Sequence, residues 1–260
     1  SELIHFIGKD NIVFHCIIFP SMLKSYGDFI LPDNVPANEF LNLEGQKIST
    51  SKNWAVWLHD YLREFPGQQD VLRYVLCINA PENKDNDFTW LDFQARNNNE
   101  LVAILGNFIN RVFVLCHKYW DGKVPPKKDI EEIDRDIILQ IESSHNKIGD
   151  FIDNYKFRFA LQALMDLARC GNKYLADTEP WKLFKNPNQK DRTETILNIA
   201  IQITASISVL CEPFMPFTSK KIKNMLNTNH GHEWSSAGNI NQISKGHLLN
   251  SPELLFSRIE

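Results

Sequence analysis

The sequence predicts a mainly α protein, in which one short βα unit and a small connecting element precede an antiparallel bundle of helices. Three observations predict this fold class. The chain begins with a short apolar segment, a glycine turn and a helical segment, which is typical of a βα unit in a parallel sheet. Apolar residues then alternate around a Glu-Gly turn, which indicates a β-hairpin. Beyond Asn53, apolar residues recur at three- and four-residue spacing, which is the periodicity of amphipathic helices.

The βα unit is predicted at the N terminus. Residues 3–7 form its strand, Gly8 makes the turn, and residues 11–23 form its helix, with Asp10 or Asn11 as the N-cap. The hairpin follows over residues 39–49. The next residues are small, polar and basic, so we expect an exposed loop there.

Helical segments make up most of the remaining chain. They are predicted over residues 55–65, 70–78, 92–120, 129–150, 157–175, 192–211 and 216–226. The connections between the later ones are short, which favours antiparallel packing in a bundle. Residues 83–88 and 227–245 are predicted to be polar loops, and residues 254–256 are expected to pack back on the fold.

The overall charge excludes a strongly basic nucleic-acid-binding surface. Lys plus Arg total 28 and Asp plus Glu total 32, so the net charge is −4. Any contact with nucleic acid must therefore be local, through a few placed side chains. The five cysteines stand far apart in apolar stretches without a CxxC pair, which suggests buried, reduced thiols and no metal site in this segment. No apolar run approaches the roughly 20 residues of a membrane-spanning helix.

The segment Lys47-Ile48-Ser49-Thr50-Ser51 is the first candidate site. Its hydroxyl groups, its backbone N–H groups and the ammonium of Lys47 are the donors that a phosphate-binding loop uses. An ordinary polar turn has the same composition, so this pattern alone leaves both interpretations open.

The turn after the first strand is the second candidate site. Open α/β sheets bind nucleotides at the carboxyl ends of their strands, where Gly8 and Asp10 stand. The carboxylate of Asp10 could accept hydrogen bonds from ribose hydroxyls. The alternative is that Asp10 only caps the next helix and Gly8 only makes the turn.

Together these segments resemble the methionyl-tRNA synthetases, a family of class I aminoacyl-tRNA synthetases. The most specific match is His5-Phe6-Ile7-Gly8-Lys9-Asp10-Asn11-Ile12-Val13-Phe14-His15. Residues 47–51 stand where the family carries its KMSKS loop. The stretches D-V-L-R-Y at 70–74, D-F-T-W at 87–90, L-G-N-F-I-N-R at 105–111 and E-P-W at 179–181 resemble further family segments. The resemblance extends from about residue 3 to residue 212.

The resemblance implies a division of the chain into four parts. Residues 1–46 would be the end of a Rossmann-like catalytic domain, and residues 47–92 the KMSKS-like loop with a connecting, stem-contact element. Residues 93–226 would be an anticodon-binding helix bundle, and residues 227–260 a loop and a tail that packs back. The family's HIGH motif and zinc-bearing insertion would lie upstream, so this segment alone is expected not to activate methionine.

The resemblance also implies a role for individual residues near the strand end. Residues 47–51 would close over ATP, bound with Mg²⁺, and stabilise the leaving pyrophosphate. Thr50 stands where the family usually has its second lysine, and a threonine supplies no positive charge. Gly8 and Asp10 would lie at the adenosine ribose, and Asn11 and His15 at the methionine pocket.

The family's readers of the CAU anticodon match Asn107, Arg111 and Trp181. Asn107 and Arg111 are four residues apart, so they lie on one face of a helix. Single-stranded RNA is read by stacking on aromatic rings and by hydrogen bonds to base edges, which suits these three side chains. Without the resemblance, the pattern favours the structural alternatives: an ion pair for Arg111, a backbone hydrogen bond for Asn107 and a core position for Trp181.

The implied partners are the anticodon loop of tRNA(Met), and methionine and ATP in the full-length enzyme. A cytoplasmic location, no membrane partner and a possible homodimer through a module beyond Glu260 are expected. Two alternatives remain open. One is a portion of another class I synthetase, for cysteine or a branched aliphatic amino acid. The other is a non-catalytic helical interaction domain.

Overall fold

The N-terminal segment forms a parallel βα unit. In the computed structural model, which describes residues 1–228 and 233–260, strand β1 (Ile7–Gly8) pairs in parallel with β2 (Ala37–Asn38). The chain between them holds a 3₁₀ turn (Lys9–Asn11), a π-helical stretch (Phe14–Ile18) and helix α1 (Phe19–Tyr26). The helix predicted over residues 11–23 therefore continues to the glycine that follows Tyr26.

A three-stranded sheet follows the βα unit. Strand β3 (Leu41–Leu43) is antiparallel to β4 (Gln46–Lys47) and parallel to β5 (Asn86–Phe88). Glu44 (φ 50°) and Gly45 (φ 74°) both adopt the left-handed region, as a two-residue hairpin turn requires. The polar loop predicted over residues 83–88 is wrong for its last three residues, which form β5. That strand is too short and polar to show alternation, and its partner β3 is distant in sequence.

Helices account for most of the chain. Their bounds are α2 (Leu58–Glu64), α3 (Gln69–Ile78), α4 (Trp90–Arg96), a π-helical stretch (Asn97–Gly106), α5 (Asn107–Trp120), α6 (Glu132–Asp153), α7 (Phe157–Thr178), α8 (Pro180–Leu183), α9 (Lys190–Leu210) and α10 (Pro216–Met225). Each predicted helix is present, with its ends shifted by a few residues. The helix from Trp90 to Trp120 is continuous, so it runs across the boundary expected near residue 92.

Helix α9 lies at the centre of the core. Every residue from Thr193 to Leu210 is buried, and α9 packs against α5, α6, α7 and α10. Two helices, Trp90–Trp120 and Pro187–Leu210, are long and apolar enough to cross a membrane, contrary to the expectation from the sequence. The apolar part of the second helix, Thr193–Leu210, is buried throughout, and its polar groups bond to neighbouring backbone: Asn198 donates to the carbonyl of Pro125 at 2.8 Å. Its composition is therefore that of a core helix.

The C-terminal tail packs on the continuous helix. The Asn98 side chain donates to the carbonyl of Ile259 at 2.8 Å and accepts from its N–H at 3.0 Å. Leu255 and Phe256 are buried, whereas Leu254 is exposed, so the expected packing holds for two of these three residues. The loop expected over 227–245 contains a 3₁₀ turn (Trp234–Gly238), and its residues 229–232 lie outside the described part.

The cysteines differ in their exposure. All five are free thiols; Cys116 and Cys211 are buried, and Cys77 and Cys170 are half-buried. Burial raises the pKa of the Cys77 thiol to about 12. The expectation of buried thiols is wrong for Cys16. This thiol is exposed, and no residue of the stretch Phe14–Ile18 is buried.

Candidate functional site

The loop that contains residues 47–51 is an exposed turn. Lys47 ends β4, and Ser49 pairs with Trp54 through two backbone hydrogen bonds of 2.9 Å. The N–H of Asn53 donates to the carbonyl of Thr50 at 3.0 Å, which closes the turn between the paired residues. The indole N–H of Trp54 donates to the carbonyl of Leu43 at 3.0 Å, so the base of the turn is anchored to the sheet.

The tip of this turn presents hydroxyl groups to solvent. Thr50, Ser51 and Lys52 are exposed, and the hydroxyls of Ser49 and Ser51 lie 3.1 Å apart. The Ile48 side chain is also exposed rather than packed in the core. A hydroxyl-rich tip beside two lysines can offer several donors to one anion.

The Phe40 ring joins this loop to the strand end. The Lys9 Nζ lies 4.5 Å and the Lys47 Nζ 5.4 Å from the centre of that ring. Lys9 is bonded to Asp85 at 2.7 Å and to Glu39, and these hydrogen bonds hold the pKa of Lys9 above its ordinary value. The Lys9 charge is thus already paired, whereas Lys47 is exposed and makes no ion pair among the described residues.

Gly8 and Asp10 form a tight turn at the carboxyl end of β1. Asp10 is exposed, and its carboxylate folds back over Gly8. A Cβ atom at Gly8 would lie 2.8 Å from Asp10 Oδ1, so any larger residue would displace the carboxylate. The Asn11 amide donates to the same Oδ1 atom at 3.4 Å. This geometry leaves the other carboxylate oxygen facing solvent.

The side chain of His15 contacts the backbone of Asn11. The His15 Nδ1 atom lies 3.1 Å from the carbonyl oxygen of Asn11, one helical turn earlier. The His15 ring also meets the ring of His5 edge-on, with centres 5.5 Å apart. His5 has a buried Nδ1 atom without a partner among the described residues. A functional role for His5 was not predicted, since a single histidine within a predicted strand gives no signal by itself.

The residues predicted to read RNA, Asn107, Arg111 and Trp181, lie at the start of α5 and beside it. Asn107 is exposed, and Arg111 lies half-buried on the next turn of the same helix face. The Arg111 Cζ atom lies 4.9 Å from the centre of the Trp181 ring. This is the geometry of a cation–π contact. Trp181 is partly buried against the core rather than enclosed in it.

The turn between α7 and α8 aims Trp181 at Arg111. Glu179 adopts a left-handed conformation (φ 42°, ψ 54°), which ends α7 and reverses the chain. Pro180 then occupies the first turn of α8, where its fixed φ suits a helix start. Trp181 therefore emerges in a direction set by its two predecessors, and Lys182 is held by an ion pair to Glu179 at 2.7 Å.

Three further residues contribute to the loop site and to the Asn107 site and were not predicted from the sequence. Phe40 and Lys9 connect the strand end to the loop, and Asn172 of α7 accepts a hydrogen bond from the Asn107 amide at 3.2 Å. None lies beside its partner in the sequence, and only a contact prediction could have found them. Among residues 1–228 and 233–260, no group of three His, Cys, Asp or Glu side chains is arranged to hold a metal ion.

Two family models match successive parts of the chain. The model for class I tRNA synthetases (M) matches residues 1–113, and the model for the anticodon binding domain of methionyl tRNA ligase matches residues 124–260. The second match alone covers more than half of the chain. The chain belongs to the methionyl-tRNA synthetase family.

Individual members of the methionyl-tRNA synthetase family match the whole chain. The methionine–tRNA ligase of Porphyromonas gingivalis is 60% identical over 260 residues, and that of Cytophaga hutchinsonii 61% identical over 261. The chain covers 38% and 37% of the lengths of these two relatives. The solved structure of Mycobacterium tuberculosis methionyl-tRNA synthetase with methionyl-adenylate has a TM-score of 0.87 at 27% identity, over 98% of this chain and 50% of that one. Its apo form has a TM-score of 0.85 over 99% of this chain and 50% of that one.

Proposed function

We propose that this chain is the segment of a methionine–tRNA ligase that reads the anticodon of tRNA(Met) and carries the loop for ATP. The observation that supports it best is the contact between Arg111 and Trp181 beside the exposed amide of Asn107. Three side chains from two separate helices converge there, each of a type that suits RNA. The complete ligase would activate methionine with ATP and transfer it to the tRNA.

The three side chains would contact bases in different ways. An unstacked base can lie on the Trp181 ring or on the plane of the Arg111 guanidinium, and both present delocalised faces. Besides the N–H that is bonded to Asn172, the Asn107 amide offers one acceptor and one donor, which can match a base edge. Such a site needs no basic surface, which agrees with the net charge of −4.

The loop at residues 47–51 would hold the triphosphate of ATP. Lys47 supplies a charge that no acidic group of the described residues pairs with, and Ser49, Thr50 and Ser51 supply hydroxyl donors. Because Thr50 is neutral, Lys52 would supply the second charge, or Thr50 would donate a neutral hydrogen bond. These donors fit the phosphates; Mg²⁺ would accompany ATP, and zinc would belong to the segment upstream.

The remaining assignments follow the same proposal. Residues 1–46 would complete a Rossmann-like catalytic domain, with Gly8 and Asp10 at the ribose and Asn11 and His15 at the methionine pocket. Residues 47–92 would include the stem-contact element. Residues 93–226 would form an antiparallel anticodon-binding bundle, and residues 227–260 the loop and tail that pack on it. A cytoplasmic enzyme without a membrane partner, and a homodimer through a module beyond Glu260, belong to the proposal as well.

A titration with a stem-loop that carries the CAU anticodon tests the reading of RNA. We expect Trp181→Ala to weaken binding by about tenfold, because base–aromatic stacking contributes about 1–3 kcal/mol. Tyr26→Ala is the control, since Tyr26 is an exposed aromatic residue outside both the stem-contact element and the bundle. No binding of the folded chain at any salt concentration would favour the non-catalytic helical interaction domain.

Stem-loops with other anticodons separate the proposal from its nearest alternative. A segment of a synthetase for cysteine or a branched aliphatic amino acid would prefer the corresponding anticodon over CAU. The identities of 60% and 61% to two methionine–tRNA ligases favour CAU. A preference for any other anticodon by more than a few fold would contradict the proposal.

ATP–pyrophosphate exchange tests the loop in a complete ligase that contains this segment. We expect Lys47→Ala to lower the exchange rate by about 10²-fold, as for the loss of one donor to developing charge. Thr50→Lys should raise the rate if a second charge is limiting, and leave it unchanged if Lys52 already supplies that charge. The exposed Lys84, outside the loop, provides the control substitution Lys84→Ala.

A further inference from the structure

Asn172 of α7 makes three hydrogen bonds, two of which link α7 to the helix that carries Asn107. Its Nδ2 atom donates to the carbonyl of Ile104 at 2.9 Å and to the carbonyl of Ala168 at 3.2 Å. Its Oδ1 atom accepts from the Nδ2 atom of Asn107 at 3.2 Å. The side chain therefore uses both of its donors on backbone and its acceptor on Asn107.

These bonds determine the orientation of both amides. A carbonyl oxygen can only accept, so the Asn172 atom that faces Ile104 and Ala168 must be the nitrogen. The Asn172 oxygen consequently faces Asn107, and the Asn107 atom beside it must be the nitrogen. If the Asn107 amide turned over, two oxygen atoms would face each other at that position. The orientation of the exposed Asn107 amide thus depends on the half-buried Asn172.

The close approach of the two helices makes this contact possible. A Cβ atom at Gly171 would lie only 2.5 Å from Cε2 of Phe108, so α7 and α5 approach as closely as they do because residue 171 is glycine. Phe108 is fully buried and follows Asn107 directly. The carbonyl of Ile104 belongs to the π-helical stretch that ends just before Asn107. Asn172 therefore links the end of that stretch to the exposed amide.

The fixed amide presents one defined pattern to a base. One N–H of Asn107 is occupied by Asn172, which leaves the other N–H and the Oδ1 atom available to a base. Cytosine offers an amino donor where uracil offers a carbonyl acceptor, and adenine differs from guanine in the same sense. An amide that could turn over would offer either a donor or an acceptor at one position, so it could bond to cytosine or uracil, or to adenine or guanine. A fixed amide bonds to only one base of each pair.

We propose that Asn172 is a positioning residue that sets which base the Asn107 amide accepts. The inference rests on the proposed function, in which Asn107 reads the anticodon. Asn172 itself need not touch RNA. Its contribution is to specificity, because it removes the amide orientation that would match the wrong base.

Stem-loop binding with single base exchanges tests this proposal. The probes carry the anticodons CAU, UAU, CGU and CAC, each exchange swapping a donor for an acceptor at one position. We expect Asn172→Ala to weaken CAU binding by about fivefold, as for the loss of one hydrogen bond. One exchanged stem-loop should keep or gain affinity, so that discrimination at that position falls by about fivefold or more. That position should be the one at which Asn107→Ala also removes discrimination.

Two further variants separate positioning from a merely structural role. Asn172→Leu keeps a similar volume but has neither donor nor acceptor, so it should lose discrimination at the same position as Asn172→Ala. Asn146→Ala is the control, because Asn146 is exposed on α6 and should leave all affinities unchanged. Circular dichroism and the melting temperature of each variant report folding.

Each outcome distinguishes this inference from the function on which it rests. Equal losses on all four stem-loops for Asn172→Ala would overturn the positioning role, as would an Asn172→Leu variant that keeps full discrimination. Retained discrimination in Asn172→Ala, with loss in Asn107→Ala, would overturn the inference alone. Unchanged binding in Asn107→Ala would overturn the reading role of Asn107, and with it the proposed function at this residue.

Discussion

Tyr174 donates its hydroxyl to the buried carboxylate of Asp134 at 2.5 Å, a contact that joins α7 to α6. Arg192 of α9 donates to both oxygens of the same carboxylate, at 2.5 and 2.9 Å. Asp134 also accepts the N–H of Glu131 at 2.9 Å and completes the N-cap of α6. One carboxylate thus holds three helices together one turn before α7 ends and Trp181 follows.

Replacing Asp134 by Asn should destabilise the protein strongly. The substitution keeps the shape but leaves Arg192, whose side chain is 12% exposed, without its buried counter-charge. Breaking a buried ion pair from one side costs about 3–5 kcal/mol. Urea unfolding measures this, with Asp136→Asn as the control, since Asp136 is exposed on the same helix. A change below 1 kcal/mol would mean that the network contributes little to stability.

The same carboxylate should make stability depend on pH. Burial by itself would raise the pKa of Asp134, but the hydrogen bonds from Arg192 and Tyr174 outweigh it and hold that pKa below its ordinary value. A lowered pKa in the folded state means that this contribution is complete above about pH 5 and is lost as pH falls through the folded-state pKa. The difference in unfolding free energy between the protein and Asp134→Asn should therefore shrink from pH 6 to pH 3. A difference that stays constant over this range would contradict the assignment.

Gly171→Ala should lower stability although alanine favours helices. Alanine in a helix interior is worth about 1 kcal/mol over glycine. Here its Cβ would lie 2.5 Å from the buried Phe108 ring, and overpacking a core costs about 1–3 kcal/mol. We expect a net loss of about 1 kcal/mol by urea unfolding. In a Phe108→Leu background, Gly171→Ala should instead raise stability, because the smaller side chain relieves the contact. If the changes in unfolding free energy of the two substitutions simply add, the contact between the two residues is not the cause of the loss.

Local patterns in the sequence predicted the helices well and the contacts between them poorly. The repeat of apolar residues in α9 or α7 is visible in any window of the chain. Strand β5, in contrast, is three residues long and is stabilised by β3, which lies far away in sequence. Its formation depends on a partner that local pattern analysis cannot identify.

In the candidate sites too, features that depend on local spacing were predictable and contacts between helices were not. Asn107 and Arg111 lie on one helix face, and their spacing is enough to predict that. The resemblance to the family brings in Trp181, and the structure places it against Arg111. Asn172 could not have been predicted, because its role depends on the close approach of α7 at Gly171. An asparagine inside an amphipathic helix looks the same whether it orients a neighbour or faces solvent.

Arg111→Lys separates the shape of the guanidinium from its charge. The planar group lies over Trp181, whereas a lysine ammonium is a compact point charge that cannot stack. We expect Arg111→Lys to weaken binding of the CAU stem-loop by about fivefold at every salt concentration, because lysine lacks the planar face on which a base or the indole stacks. The slope of log affinity against log salt should not change, because the charge is retained.

Arg111→Met supplies the comparison, because it also removes the charge. We expect a larger loss of affinity, and a salt slope smaller by up to about 0.7 if Arg111 neutralises one phosphate of the single strand. Arg135→Ala, at an exposed arginine of α6, should leave the affinity unchanged. Full affinity in Arg111→Lys would mean that a point charge is sufficient, and that the contact with Trp181 serves packing rather than RNA.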